Sequence, residues 1–422
     1  ARGTLLAVAA GSEPEEVTAE VAVEPATTER FVLSDLLEAD WVAVQVQVDA
    51  GNLVVEHEVV GEHGSDVAPC HRRASDEWWF ASGASTRDAG MTLVVYNPSP
   101  GPATVDTAFT TGSGVREPTD LQGIPVPSGT AVALDVSGLV TEREVIASHV
   151  TTRRGRVVVD RVQTFDGRGA ATTDEEEEAE TYVRRGLTVT PGVPGPRTAW
   201  SLPGGIRTDR VHEQVVVVNP GEEVAEVEVG FVLDDPRRNG VLDPFPVTVP
   251  AGEVRVFEVD EIATIPAPLT HTVSVRSANG VPVLVERLLA ADEGGSYAGT
   301  TVTSGSPVAA ERWVFPAGPE VGEETARLAF HNPGDRAVDV EVRAYGDGEV
   351  AAVGEIRTIT IAPGERAEVG LEDLVEGRTS VLVTATGPVV AERRLYRLDD
   401  GTGDGEGDGE DGEDEDDGST DE

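Results

Sequence analysis

Short runs of alternating apolar and polar residues recur along the chain, and they predict β-strands rather than helices. In VAEVEVGF, which begins at Val224, three apolar residues alternate with acids: Val227, Val229 and Phe231. This period of two places one face of a strand in a core and the other in water. Valine is abundant, and 47 Gly and 27 Pro separate the runs, which favours many short strands. The pattern therefore predicts an all-β protein.

One hinge is written three times. VVVVNPGEEVAEVEVGFVL from Val215, LVVYNPSPGPATVDTAF from Leu93 and LAFHNPGDRAVDVEV from Leu328 each place Asn-Pro between two strand-like runs. Proline has no N–H and pushes the residue before it toward extended geometry, so the strand ends at the Asn. We expect the Asn carboxamide to form an Asx-turn, with Gly221 or Gly334 taking a positive φ where the turn needs one.

The spacing around the hinge is also repeated. A Gly stands fourteen residues before a Trp, and that Trp stands nineteen residues before the hinge Asn, in three sets: Gly64, Trp78 and Asn97; Gly186, Trp200 and Asn219; Gly299, Trp313 and Asn332. The period of 113 to 122 residues is too long for a solenoid unit and suits a sandwich domain. We expect the Trp to be a core or interdomain plug.

A fourth, abbreviated copy precedes these three. TLLAVAA from Thr4 parallels the strand before Asn97, and GNLVVEHEV from Gly51 parallels the strand that closes each copy. This segment is either the remnant of a domain cut by the start of the sequence or a partial domain completed by its neighbour.

These patterns predict tandem immunoglobulin-like antiparallel β-sandwich domains with a disordered acidic C-terminal tail. The predicted units are a partial or degenerate repeat at residues 1–62 (the partial copy), copy 1 at 63–185 with an acidic insertion at 166–185, copy 2 at 186–298, copy 3 at 299–398 and the tail at 399–422. The tail has no apolar residue, so it cannot bury surface to offset the entropy of ordering.

Charge excludes several classes of partner. The net charge is −45, all 32 basic residues are arginine, and the last 24 residues hold fourteen acids and no base. Such a chain repels nucleic acids and anionic membrane surfaces. Without lysine there is no phosphate-loop lysine and no Schiff-base chemistry. We expect the tail to attract Ca²⁺ or Mg²⁺ weakly and collectively, without the frame of a specific calcium loop.

Cysteine and membrane signals are few. Cys70 is the single cysteine, so no internal disulfide forms. His57, His63, Cys70 and His71 lie within fifteen residues, but their spacing matches no zinc finger, and we predict neither a metal site nor a cofactor. No apolar run is long enough to span a membrane. Because the sequence opens on Ala1, we expect an upstream signal or anchor to be missing.

Each closing strand carries an acid followed by a base: Glu56-His57, Asp160-Arg161, Glu286-Arg287 and Glu392-Arg393. Consecutive strand residues point to opposite faces, so the two do not pair with each other. One reading is an acid catalyst. The other, which we favour, is a cross-strand ion pair present once in each domain.

Exposed tryptophans on a sandwich can stack on sugar rings, and the adjacent Trp78 and Trp79 are the candidates for such a site. A domain-junction plug is the alternative for this pair. The sequence has no Gly-x-Ser-x-Gly elbow, no His-Glu-x-x-His and no dinucleotide glycine fingerprint, so we predict no catalytic residues and no enzyme.

The ordered set of Trp-x-[Phe/Leu]-x-x-Gly, Asn-Pro, an alternating strand and a closing Gly-x-[Val/Leu]-Val-x-[Asp/Glu]-[Arg/His] resembles a family of exported proteins of unknown function from high-GC Gram-positive bacteria. The resemblance covers most of residues 64–398 and implies tandem immunoglobulin-like domains behind an N-terminal membrane segment. We therefore expect a non-catalytic, extracytoplasmic rod that acts as a spacer, scaffold or interaction protein of the cell envelope, with an unknown protein or envelope polymer as its partner. The alternatives are a carbohydrate-binding protein and a hydrolase with its site at a domain junction.

Overall fold

The computed structural model describes residues 1–11, 14–168, 182–234, 242–291, 299–316, 324–346, 357–371 and 379–397. Within these ranges the chain forms antiparallel β-sheets and two short 3-10 turns, which confirms the all-β prediction. The predicted disordered tail at 399–422 lies outside the described residues, as does most of the acidic insertion, residues 169–181.

The strands follow the predicted units. The partial copy contains β1 (Arg2–Ala9), β2 (Glu16–Ala22), the 3-10 turn η1 (Leu33–Asp35), β3 (Val42–Ala50) and β4 (Glu56–Gly61). Copy 1 contains β5 (Gly64–Pro69), β6 (Glu77–Phe80), β7 (Ala89–Tyr96), β8 (Ala103–Thr111), β9 (Gly114–Arg116), η2 (Thr119–Leu121), β10 (Ile124–Val126), β11 (Ala131–Asp135), β12 (Ile146–Arg154) and β13 (Val158–Asp166).

The later copies repeat this series. Copy 2 contains β14 (Arg185–Pro191), β15 (Ala199–Arg207), β16 (Val211–Asn219), β17 (Ala225–Leu233), β18 (Phe245–Val249), β19 (Glu253–Glu258), β20 (Leu269–Ser277) and β21 (Leu284–Ala291). Copy 3 contains β22 (Gly299–Ser304), β23 (Ala310–Phe315), β24 (Glu324–His331), β25 (Val338–Gly346), β26 (Arg357–Ile361), β27 (Arg366–Gly370) and β28 (Thr379–Arg397).

Copies 1 and 2 have the same two-sheet topology. In copy 1 the sheets run β10-β8-β12-β6 and β11-β7-β13-β14, and in copy 2 they run β18-β17-β20-β15 and β19-β16-β21-β22. In copy 3 the long strand β28 serves both sheets, because its first half pairs with β25 and its second half with β24. Each copy encloses its own apolar core, rich in Val, Leu and Phe.

The strand that opens at each repeating Gly joins the sheet of the copy before it. β5 pairs with β4, β14 with β13, and β22 with β21. These opening strands also touch one another: Val189 N donates to Asp66 Oδ2 at 2.9 Å, and Val302 N donates to Thr188 Oγ1 at 3.3 Å. Gly186 has φ 148°, and a Cβ there would lie 3.0 Å from the carbonyl oxygen of Thr300, so this close approach requires glycine.

The hinge has one geometry in all three copies, which confirms the predicted Asx-turn. Asn219 Oδ1 accepts from Gly221 N at 3.0 Å, while its Nδ2 donates to the carbonyls of Glu223 at 2.7 Å and Val249 at 2.9 Å. Asn97 and Asn332 make the corresponding bonds, and all three side chains are buried. The glycines after the hinge are not in the positive-φ region, so the turn does not need it.

The partial copy keeps only part of this plan. Its sheet has the order β2-β1-β3, which matches β10-β8-β12 in copy 1. β1 therefore occupies the place of the strand after the hinge, and the sequence alignment of TLLAVAA with the strand before Asn97 is wrong. Pairing decides this, because both strands read as apolar runs. Among the described strands of this segment, none takes the places of β6 and β7.

Candidate functional site at the junctions between copies

Trp78 and Trp79, the proposed sugar-stacking pair, lie on β6 and point in opposite directions. Trp78 is buried in the core of copy 1, and its Nε1 donates to the carbonyl of Val157 at 2.7 Å. Trp200 and Trp313 donate to the start of the closing strand in the same way. The repeated Trp is thus a core residue that ties two strands together.

Trp79 lies where copy 1 meets copy 2. Its backbone exchanges two hydrogen bonds with Val193, at 2.8 and 3.0 Å, and its ring packs against the core of copy 2. One face of the indole is stacked on His149, with ring centroids 3.3 Å apart. Burial lowers the pKa of His149 to about 4, so this ring is neutral at pH 7. Part of the Trp79 surface remains exposed.

The acid and base of the closing strands join neighbouring copies. Arg161 of copy 1 lies 2.9 Å from Glu286 of copy 2, and both side chains are almost fully buried, at 0% and 2% exposure. Ser82 donates to the same carboxylate through its N at 3.0 Å and its Oγ at 2.6 Å. Thr190 Oγ1 accepts from Arg161 at 2.8 Å. The pair is therefore surrounded by hydrogen bonds that offset part of its desolvation cost.

The next junction repeats this contact. Arg287 of copy 2 pairs with Glu392 of copy 3, and Gly204 N donates to Glu392 Oε2 at 3.0 Å. Ser82 and Gly204 both stand four residues after the repeated Trp. A Cβ on Gly204 would lie 2.4 Å from Glu392 Oε1, so a side chain here would displace the carboxylate.

Two further links complete a ring. Arg393 of copy 3 lies 3.0 Å from Glu56 of the partial copy, and His57 of the partial copy lies 3.7 Å from Asp160 of copy 1. The base of each unit thus faces the acid of the next unit, and the last unit faces the first. The expectation of one cross-strand pair within each domain is wrong, and so is the expectation of a rod, because a rod would leave Glu56 and Arg393 far apart.

The residues considered for zinc lie beside the histidine link. His57 Nδ1 is 3.6 Å from Cys70 Sγ, and His71 Nε2 is 3.0 Å from Asp160 Oδ1. His63 lies in the turn between β4 and β5. Burial, together with Asp160 and Glu56, raises the pKa of the Cys70 thiol to about 12, which disfavours the thiolate that binds metals. The structure brings three of the four together around Asp160, but their ligand atoms do not converge on one point.

A Ser–His contact lies at the junction of copies 2 and 3. Ser201 Oγ is 2.8 Å from His331 Nδ1, and both residues are buried. Burial, with a smaller effect from Arg366, lowers the pKa of His331 to about 4. Among the described residues no carboxylate pairs with this ring, so the orienting acid of a Ser-His-Asp arrangement is not seen there.

One cluster was missed by the sequence analysis. His212 at the start of β16 lies between two carboxylates, with Nδ1 2.7 Å from Asp260 Oδ2 and Nε2 3.1 Å from Glu258 Oε2. Burial alone would lower the pKa of His212, but Asp260 and Glu258 raise it to about 9. Among the described residues this is the one group of His, Cys, Asp and Glu whose ligand atoms converge as a metal site requires.

No helix in the described ranges has the length and apolar character needed to cross a membrane. A family model described as "Family of unknown function (DUF5719)" matches residues 53–238 and again residues 164–408. The second match begins 164 − 53 = 111 residues after the first, close to the period of the repeat. No curated protein matches the chain.

Proposed function

Because this chain belongs to the family of unknown function DUF5719, we propose its function from the geometry of its junctions. The protein is a non-catalytic scaffold or interaction protein that acts outside the cytoplasm, in the cell envelope. A single observation carries this proposal: the acid and base repeated in every unit are all used to hold the units together, through Arg161–Glu286, Arg287–Glu392, Arg393–Glu56 and His57–Asp160.

The geometry favours a scaffold over an extended spacer. Four linked units present their outer sheet faces and loops around a shared set of buried pairs, so several surfaces are held at fixed positions. The acidic body and the arginine-only composition support a partner other than nucleic acid or an anionic membrane surface. An unknown protein or an envelope polymer is the partner class that we propose.

Fractionation of cells that make the native full-length protein tests the location. We expect the protein in the envelope or culture fluid, accessible to added protease while a cytosolic marker is protected. Recovery with the cytosolic marker would refute an extracytoplasmic role.

A variant pair tests whether architecture is the function. Glu286→Ala breaks a buried junction pair, whereas Glu228→Ala removes the acid of an exposed pair with Arg276, 2.7 Å apart. We expect Glu286→Ala to reproduce the phenotype of a gene deletion and Glu228→Ala to resemble wild type. A folded Glu286→Ala protein with full activity in the cell would argue against the scaffold.

The hydrolase alternative is favoured by the Ser201–His331 contact at a domain junction. Screening the purified protein against ester and peptide substrates tests it, with Ser201→Ala as the control. Turnover that this substitution abolishes would replace the scaffold proposal. The carbohydrate alternative depends on the exposed part of Trp79, and glycan binding lost in Trp79→Ala would promote it.

A further inference from the structure

His212, Glu258 and Asp260 present to one another polar atoms that no hydrogen bond satisfies. One ligand atom from each lies within 4.8 Å of the others. His212 Nε2, Glu258 Oε2 and Asp260 Oδ1 are buried and without a hydrogen-bond partner. Buried polar atoms are normally satisfied. Three such atoms in one place indicate a missing partner that accepts electron pairs from nitrogen and oxygen.

The surroundings hold these ligand groups in position. Gln214 Nε2 donates to Glu258 Oε1 at 3.0 Å, which leaves Oε2 facing the histidine. The other ring nitrogen of His212 lies 2.7 Å from Asp260 Oδ2, the contact by which a carboxylate orients a metal-binding imidazole. Tyr182 stacks on the His212 ring with centroids 3.6 Å apart, so the ring has little freedom to rotate.

The distances suit a small tetrahedral ion. His212 Nε2 and Glu258 Oε2 are 3.1 Å apart. Two ligands bound at about 2.0–2.1 Å to one tetrahedral zinc ion stand about 3.3 Å apart. A rotation of Asp260, which is about one-third exposed, brings its carboxylate to the same ion.

The repeat shows that the architecture does not require this cluster. The backbone N–H of Val136 in copy 1 and that of Val259 in copy 2 make the same hydrogen bond, at 3.0 and 2.9 Å, which aligns the two copies. At the positions of the three cluster residues copy 1 has Gly90, Asp135 and Ser137. Copy 1 forms the same sheet without them, so the histidine and the second carboxylate serve another purpose in copy 2.

We propose that His212, Glu258 and Asp260 bind a divalent transition-metal cation of the zinc class. An imidazole nitrogen with two carboxylate oxygens suits zinc and its neighbours, whereas magnesium and calcium prefer all-oxygen sites with more ligands. A water molecule completes four-coordination. The bound ion fastens β16 to the chain that follows β19, beside Tyr182 at the end of the acidic insertion.

Calorimetric titration of the metal-stripped full chain with Zn²⁺ tests this site. Millimolar Mg²⁺ is kept in the cell to occupy weak sites on the acidic tail. We expect one Zn²⁺ per chain to bind above that background, and Co²⁺ to give the visible absorption bands of a tetrahedral site. His212→Asn is expected to lower Zn²⁺ affinity by at least about 100-fold.

Glu253→Gln is the matched control, because Glu253 is an exposed acid on β19 that pairs with Arg255; it should leave Zn²⁺ affinity unchanged. Circular dichroism shows whether His212→Asn folds, and Glu258→Gln provides an independent variant. No Zn²⁺ binding above the tail background, or equal binding in wild type and both ligand variants, overturns the proposal. So does a Co²⁺ spectrum of an octahedral all-oxygen site.

Discussion

Two junctions at the same place in the repeat are held by different chemistry. Between copies 1 and 2, Arg161 and Glu286 are 2.9 Å apart and almost fully buried. Between the partial copy and copy 1, His57 and Asp160 are 3.7 Å apart and about one-quarter exposed. A planar guanidinium stays charged and reaches its acid directly, whereas burial lowers the pKa of His57. The strand position is shared, but the strength of the link depends on which base occupies it.

The largest effect is expected at the buried arginine junction. Glu286→Ala leaves the Arg161 guanidinium unpaired in a site with 0% exposure, so the free energy of unfolding should fall by about 3–5 kcal/mol. Urea denaturation followed by tryptophan fluorescence measures this. Glu228→Ala, at an exposed pair, should cost less than about 1 kcal/mol. Equal costs for the two variants would remove the distinction between junction and surface pairs.

The link that closes the ring should come next. Arg393→Met leaves Glu56 buried without its base, since the two side chains are 6% and 7% exposed, and we expect a loss of about 3 kcal/mol. Small-angle X-ray scattering should show a larger radius of gyration as copy 3 separates from the partial copy. Arg276→Met, at an exposed pair, is the control. An unchanged radius in a destabilised Arg393→Met protein would mean that other contacts close the ring.

A buried histidine at the junction of copies 2 and 3 should make stability depend on acid. The pKa of His331 is about 4 when folded and about 6.5 when unfolded. Between these values the unfolded chain binds a proton that the folded chain does not. Stability is therefore full above pH 6.5 and falls toward pH 4, by about 2–3 kcal/mol at most.

His331→Asn keeps a polar partner for Ser201 and removes this titration. Melting temperatures of both proteins between pH 4 and 7.5 should show a smaller loss on acidification in the variant. Parallel curves would contradict the assignment to His331.

The smallest effect is expected at the histidine junction. Asp160 has a second partner in His71, 3.0 Å away, so His57→Gln should change the free energy of unfolding by less than about 1 kcal/mol. Urea denaturation at pH 7.5 measures it beside Glu286→Ala. A loss comparable to that variant would show that the two junctions are equally strong despite their chemistry.

The strands, the Asx-turn of the hinge and the buried repeated Trp were predictable because their signals are local. Asn219 bonds within its own copy, and its sequence neighbours fix its conformation. The ring was not predictable, because the partner of Arg161 depends on how one copy packs on the next. Strand geometry did establish that Asp160 and Arg161 point apart. The His212 cluster has no motif spacing, but alignment with Gly90 of copy 1 was a signal in the sequence.

The closure of the ring has a consequence for the synthesis of the protein. Glu56 and Arg393 are 337 residues apart in the chain. At about 5–20 residues per second, a ribosome takes roughly 20–70 s to reach the arginine after the glutamate has been made. During that time the partial copy waits with an unmatched carboxylate. Assembly of the four units can therefore finish only after translation of the last strand, however quickly each unit folds.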